Sequence, residues 1–445
     1  MTPAYAPVGL ADRIRSIDVV RGYALLGILL MNILTFGLPL AAYFNPRVAG
    51  GDTGPNLAAW VLQYVLFDGK MRGAFSLVFG AGVLLLVSRA EGRGGAGAAD
   101  VHYRRMLWLM LFGIVHAYCI WVGDILYPYA LLGLILYPLR KMSPRGLLIV
   151  AGIQIALLSC MNVGNGFHLR SMRDDASKAD AAAARGEKLT KEQTDAQKSW
   201  KEKLEAINPN AEQIKKEIDD YRGGYISAFK RRAKDVLRWH SLPYYFPMNW
   251  DMLCMMLIGM ALVKLDVLTA ARPMRVYARI AAVGYAIGLP VGSVTAWMAI
   301  ESRFEPMTTP FIFSSYQIAR VALTLAHIAV LLMIVKSGAL PWLTSRLAAV
   351  GQMAFTNYIS HSVICSLIFY GYGFGLMGRL ERYQIYVVVP CIWIFQLIVS
   401  PIWLRHFAFG PLEWCWRSLT YWQRQPMRLR QPEPELVAAP AGSVE

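Results

Sequence analysis

The feature that most limits what this chain can fold into is a series of about ten apolar runs, each near the length that crosses roughly 30 Å of hydrocarbon and most of them fenced by Lys or Arg. They cover residues 17–38, 60–88, 106–122, 124–139, 146–163, 248–264, 276–299, 316–335, 347–370 and 384–403. In hydrocarbon every backbone N–H and C=O needs a partner inside its own segment, so such runs are read as helices. The 445 residues are 56% hydrophobic and only 17% charged, with a mean hydropathy of +0.38, which excludes an ordinary water-soluble globule. A formal charge of +16 would point to nucleic acid if the cations formed a stripe on a polar domain. Here they punctuate greasy runs, and no nucleic-acid partner is expected. The expected fold is an all-α, multi-pass membrane protein bathed in membrane lipids.

The first run follows Arg13 and Arg15 as the core of a signal peptide would, but it is too long and lacks a clear A-x-A cleavage site, so it is read as a retained span. The third and fourth runs are so closely spaced that they should form a hairpin closed at Gly123-Asp124. Basic residues set the expected orientation. Arg13, Arg15, Arg89, Arg93, Arg104, Arg105, Arg140, Lys141 and Arg145 fall on one side of such a bundle. Lys264, Arg272, Arg275, Arg279, Lys336 and Arg346 join them, as do Arg405, Arg417, Arg424, Arg428 and Arg430 of the tail. The short loops opposite hold Arg47, Arg303, Arg379 and Arg382, with Lys70 and Arg72 ambiguous. The positive-inside rule then puts both termini in the cytoplasm.

Residues 164–246 break the alternation of span and short loop, holding 17 Lys+Arg and 13 Asp+Glu in an Ala- and Gln-rich, helix-favouring context. Long polar loops translocate regardless of charge, so this insert is placed outside. Two readings of it are open: a small cap on the outer face, or a mobile spacer. The chain thus divides into a transmembrane region 1–163, a helical extracytoplasmic insert 164–246, a second transmembrane region 247–410 and a basic, amphipathic cytoplasmic tail 411–445. Cys119, Cys160, Cys254, Cys365 and Cys391 lie in or beside apolar runs and Cys415 in the tail, which suits small buried hydrophobes better than a disulfide frame.

A charge inside a bilayer costs several kcal/mol, so polar residues within the runs are the candidates for function. The first run opens Ser16-Ile17-Asp18-Val19-Val20-Arg21. Ser16 is placed to cap the helix, and Asp18 sits in the first turn with Arg21 as its i+3 neighbour. Asn32 follows eleven residues after Arg21. Three turns take about 10.8 residues, so the two share a face roughly 16 Å apart along the axis, forming one polar stripe from the cytoplasmic end past the bilayer centre. Asn32 either serves that stripe or ties its helix to a neighbour. The segment Phe67-Asp68-Gly69-Lys70-Met71-Arg72 wedges three charges and a glycine between apolar stretches. It reads as a charge-lined dip around a cavity or as an interfacial turn.

His116 lies in the third run and Asp124 eight residues on, about 12 Å away in a straight helix. A turn at Gly123 would bring the carboxylate back to the imidazole; alternatively, Asp124 caps the fourth helix. An intramembrane histidine is a functional candidate by default. Arg320 and His327 sit two turns apart on one face of the eighth run. Asn357 and His361 are i,i+4 neighbours in the ninth, placed for one hydrogen-bonded ledge. Together these groups imply a hydrated interior cavity. No P-loop, H-E-x-x-H, C-x-x-C or G-x-S-x-G motif occurs, so ATP-driven transport by this chain, zinc hydrolysis and ordinary serine-esterase chemistry lose support, and no metal is expected.

The segments Ser16–Asn32, Asp68–Arg72, Phe75–Gly82, Gly113–His116 and Gly123–Leu126 resemble the YeiB-type bacterial membrane proteins. Gly351–Tyr358, Phe369–Gly375 and Gly410–Arg417 resemble that family's C-terminal domain of unknown function 418. The first run is also similar to that of transmembrane acyltransferases such as heparan-alpha-glucosaminide N-acetyltransferase, which pair an Arg with a His or Asn eleven positions later. Here the pair is Arg21 and Asn32. The resemblance implies a transmembrane-acyltransferase-like bundle in the bacterial inner membrane. It also implies an acyl-CoA donor such as acetyl-CoA, an envelope glycan or lipid-linked acceptor and, by analogy, a homodimer. On that reading Arg21, with Asp18, Arg104 and Arg105, holds the donor's anionic groups. Asn32 donates to the thioester carbonyl, and His116, oriented by Asp124, takes the acceptor's proton. Asp68, Lys70, Arg72, Arg320, Asn357 and His361 then line the substrate cavity. Transfer is expected without a covalent intermediate. The rival class is a transporter or exporter of a small or amphipathic molecule, disfavoured by the lack of an internal repeat and of paired Gly/Pro-broken runs.

Overall fold

Helix α1 (Arg15–Gly37) forms the axis of the molecule because it is apolar on every side, with Val19, Leu25, Leu29 and Ile33 all fully buried. The computed structural model describes residues 13–92 and 97–429, and of 242–248 the backbone only. Arg93 and Arg430, counted among the basic residues above, lie outside the described residues. After α1 come α2 (Ala41–Phe44), α3 (Gly54–Leu62) with a π-helical turn Gln63–Phe67, α4 (Lys70–Gly92), α5 (Ala98–Cys119), α6 (Leu126–Leu139) and the long α7 (Pro144–Ala184). Three polar helices follow, α8 (Lys191–Ile207), α9 (Ala211–Arg222) and α10 (Tyr225–Trp239). The second half holds α11 (Leu242–Lys264), α12 (Met274–Glu301), α13 (Thr309–Ser337), α14 (Pro341–Gln352), α15 (Ala354–Phe369), α16 (Arg382–Ile385), α17 (Val388–His406) and α18 (Pro411–Tyr421).

Six helical stretches among the described residues are long and apolar enough to cross a membrane: Arg15–Gly37, Gly54–Gly92, Pro144–Ala184, Met274–Glu301, Thr309–Ser337 and Arg382–His406. Helices α6 and α15 are apolar but shorter. The chain is thus an all-helical, multi-pass membrane protein. Burial separates the interior from the rim. In α1, 72% of the apolar window is buried, against 17% in α7, whose Ile149, Ile153 and Leu157 face outward. Outward-facing Ile394, Phe395 and Ile398 on α17 complete the same greasy rim.

Small residues bring backbones together around the axis. A Cβ at Gly22 would lie 2.0 Å from the Leu347 carbonyl oxygen, and one at Gly351 would lie 1.9 Å from that of Asp18. Helices α1 and α14 therefore touch main chain to main chain, and only glycine fits at either position.

Three sequence expectations change. Ser16 does not cap α1; it lies inside the helix and donates to the Leu268 carbonyl at 2.7 Å. Run 60–88 is not one rod, since the π-turn ends at Asp68 and Gly69 takes φ +67° before α4 starts. Run 347–370 divides at Met353 into α14 and α15. The buried Glu413 carboxylate of α18 accepts from the backbone N–H groups of Phe355 (2.6 Å) and Thr356 (3.1 Å), satisfying orphan donors at the new helix start.

The insert is docked on the end of the bundle where α1 finishes, which replaces the spacer reading. The Gly371 N–H donates to the Tyr221 carbonyl at 2.9 Å, and the Leu40 N–H to Glu217 Oε1 at 2.8 Å. Arg232, fully buried, donates to the carbonyls of Tyr118 (3.3 Å) and Cys119 (3.0 Å) at the end of α5. Burial raises the Glu217 pKa above its ordinary value, with the Leu40 N–H and Arg231 opposing that shift.

Candidate functional site

Where α1 begins, a cavity of about 240 Å³ is lined by Arg13, Arg21, Arg89, Arg105 and Arg417 against the carboxylates of Asp18 and Glu413. The glycine contact between α1 and α14 fixes Arg21, which donates to Asp18 at 2.6 Å and reaches the Gly351 carbonyl at 3.4 Å. Arg105 stacks on Trp416 of α18 at 3.8 Å, while the Trp416 indole N–H donates to the Arg105 carbonyl at 2.9 Å. Arg417 lies over Phe409 at 4.5 Å. Burial, with Arg105 and Arg13 close by, pushes the Arg417 guanidinium below its usual pKa. Leaving Arg89 aside, Arg13, Arg21, Arg105 and Arg417 outnumber the two carboxylates that face them.

Asn32, on the same stripe of α1, opens on a second cavity of about 670 Å³ towards the other end. Asp68, Arg72, Asp124, Asp251 and the insert's Trp239 and His240 share its wall. Charges here are closed on one another. Asp251 accepts from Arg72 at 2.5 Å and lies 3.5 Å from Arg320, while its Oδ1 is buried with no partner among the described residues. Asp68 accepts from the hydroxyls of Tyr43 and Tyr316, the latter at 2.9 Å. Gly69 is required where it stands, because a Cβ there would lie 2.0 Å from the Tyr316 hydroxyl.

Neighbouring residues of one segment line the two cavities. On α6 and the turn before it, Ile125 and Pro128 face the large cavity, while Leu126 and Tyr129 face the small one. The Tyr129 hydroxyl is 2.7 Å from Ser76 Oγ, which donates to the Arg72 carbonyl at 2.9 Å. The Tyr358 hydroxyl, on the small-cavity side, accepts from the Ile125 N–H at 3.2 Å. This seam is polar in the middle of an apolar bundle, a feature with no packing advantage.

A family model described as "Protein of unknown function (DUF418)" matches residues 262–423. The uncharacterized protein YeiB of Escherichia coli (strain K12) is 30% identical over 438 residues, covering 92% of this chain and 96% of its own. The chain belongs to the YeiB family. Uncharacterized protein YxaH of Bacillus subtilis (strain 168) is likewise 30% identical, over 94% of this chain and 96% of its own. An uncharacterized 39.9 kDa protein of Bacillus acidopullulyticus is 25% identical over 96% and 99%. In this YeiB family member the chemistry therefore rests on the residues themselves.

The structure brings Asp18, Arg21 and Arg105 to the small cavity and Asn32, Asp68, Arg72 and Asp124 to the large one. Arg104 lines neither cavity. It pairs with Asp100 at 2.8 Å and lies over Trp422, because consecutive residues on a helix point about 100° apart. Gly123 does turn the chain: Asp124 Oδ1 accepts from His116 Nδ1 at 2.7 Å while its Oδ2 accepts from the Tyr127 N–H at 2.8 Å, so pairing and capping occur together. His116 itself lines neither cavity, and its Nε2 is 2.9 Å from Ser362 Oγ. Both of its ring nitrogens are engaged, and it meets the wall of the large cavity through Asp124.

Four further residues expected at the cavity stand behind it. Lys70 donates to the Tyr64 carbonyl at 2.7 Å, and Arg320 backs Asp251. Asn357 donates to Ser400 at 3.0 Å and His361 meets Gln396 at 2.8 Å. Gln396 in turn donates to the Asn357 carbonyl, so these two form a tie between α15 and α17 rather than a substrate ledge. Sequence reasoning missed Asp251, although a lone carboxylate inside run 248–264 carries the same signal that selected Asp68. Arg13, Arg89 and Arg417 were counted only for orientation, and His240 was hidden in the insert.

Proposed function

We propose that the protein is a membrane-embedded acyltransferase with ten helical crossings and both termini in the cytoplasm, working in the bacterial inner membrane. The small basic cavity then opens to the cytoplasm and holds the anionic part of an acyl-CoA such as acetyl-CoA through Arg21, Arg105 and Arg417. The observation that carries this reading is the partition: a cavity with more cations than anions and a cavity whose charges are paired lie on either side of a hydrogen-bonded seam at Ser76 and Tyr129. A thioester arm crossing that layer would bring its carbonyl towards Asn32, whose amide can donate to the oxygen as negative charge develops on it. Asp124, fixed by His116 and the Tyr127 N–H, orients the acceptor in the large cavity. The acceptor oxygen or nitrogen bonds to the carbonyl carbon, the C–S bond breaks, and CoA leaves as the free thiol. An envelope glycan or lipid-linked acceptor fits a large cavity that carries amides, carboxylates and aromatic rings.

The test is release of free CoA from acetyl-CoA by membranes containing the protein, read chromatographically for wild type, Arg21→Ala and Asn32→Ala. Wild-type release that both substitutions abolish supports the reading; no release by the wild type overturns it. The same partition also suits alternating access, so a transporter is the second reading. Solute counterflow in proteoliposomes without CoA release would establish that one instead.

A further inference from the structure

The large cavity is not sealed inside the bundle. Met161 of α7 lines it and is 47% exposed, and Phe44 of α2 lines it and is 53% exposed. Its wall thus reaches the outside of the molecule through apolar side chains, which mark contact with an apolar partner.

Met161 is also the last member of a row. Ile149, Ile153, Leu157 and Met161 recur every four residues along α7 and all four are exposed, a shallow spiral on its outward face. Helix α7 is among those long and apolar enough to cross a membrane, so this row lies against lipid. Its twelve-residue span rises about 18 Å, close to the roughly 15 Å of hydrocarbon in one leaflet. A lipid tail laid along the row stays in the bilayer while its head arrives at the cavity. There the chemistry of α7 changes, since Asn162 and Asn165 line the cavity beside Met161.

The interior suits an uncharged, hydroxyl-bearing head. Asn32 and Gln63 add further amides to the wall, and Trp60, stacked on Tyr64 at 4.9 Å and 13°, offers aromatic surface to the C–H face of a sugar ring. Among the described lining residues Arg72 is the one Lys or Arg, set against Asp68, Asp124 and Asp251, so no surplus of cation is left to hold an anionic head.

We propose that the acceptor is a membrane lipid with a hydroxyl-bearing, uncharged head, of the glycolipid class, which reaches the large cavity sideways past Met161 while its tail rests on the α7 row; this rests on the acyl-transfer reading. A hydroxyl oxygen of the head bonds to the thioester carbonyl carbon and the C–S bond breaks. The hydroxyl proton ends on the departing sulfur, giving an acylated lipid and free CoA. A water-soluble glycan has no tail for the row to hold.

The experiment incubates native cell membranes containing the full-length protein with acetyl-CoA radiolabelled in the acetyl group, then partitions the products between chloroform/methanol and water. Membranes lacking the protein give the background. Label in the organic phase, released as acetate by mild alkali, is expected from the wild type. Met161→Asp, which puts a carboxylate on the lipid row, should lower it about ten-fold or more while acetyl-CoA affinity of the purified variant holds. Release of CoA with the label in the aqueous phase or on protein overturns the lipid acceptor and leaves the acyl-transfer reading standing. Organic-phase label that Met161→Asp leaves unchanged overturns the route past α7. A wild type that releases no CoA overturns both readings. Should Met161→Asp fail to fold, the partition of the wild-type product decides by itself.

Discussion

In the small cavity Arg13, Arg21, Arg105 and Arg417 confront two carboxylates, whereas in the large one Arg72 and the adjacent Arg320 close on Asp251 and two tyrosines close on Asp68. The difference lies in who completes the electrostatics. A surplus of cation in a half-buried pocket costs folding free energy and is relieved when a ligand brings anions. A compensated cluster is self-sufficient and serves as scaffold for a neutral, polar guest. The same substitution type should therefore cost stability at one end and binding at the other.

The largest effect is expected at Asp251. Asp251→Ala leaves the half-buried Arg72 and the buried Arg320 without their partner and should destabilise the protein by about 3–5 kcal/mol, read from thermal unfolding in detergent. Asn32→Ala sharpens the comparison from the other side, since Asn32 makes no structural ion pair. Turnover should fall about 100- to 1,000-fold while the melting temperature and acetyl-CoA affinity hold. Arg105→Ala or Arg417→Ala, read by calorimetric titration, should each weaken acetyl-CoA binding about ten- to 100-fold, the worth of a charge-assisted hydrogen bond. Neither should lower the melting temperature, because each removal relieves like-charge repulsion. Arg104→Ala should change affinity by no more than about two-fold, since its guanidinium is held by Asp100 and Trp422 at the surface.

Much of this was legible in the sequence because the bilayer makes a buried charge conspicuous. The Arg21–Asn32 spacing gave one polar stripe, whose two ends line different cavities, and of the two readings of Asp124, pairing with His116 and capping, both occur. What stayed hidden depends on contacts between distant segments. Run 347–370 has no breaker at Met353, and the division of that helix needs Glu413 from the tail to cap its second half. The position of Arg417 depends likewise on α18 folding back against the start of α5. His240 was invisible for a different reason: in a segment of mixed charge one imidazole carries no periodic or hydropathic signal, and only docking on Tyr127 brings it to the cavity.

The most direct measurement is equilibrium binding of acetyl-CoA to the purified full-length protein, wild type against the Arg105→Ala, Arg417→Ala double variant. Saturable binding by the wild type, weakened about 100-fold or more in a double variant that melts at the same temperature, is the expected result. No binding by the wild type, or equal binding by both, would contradict the assignment of the basic cavity to an acyl-CoA donor.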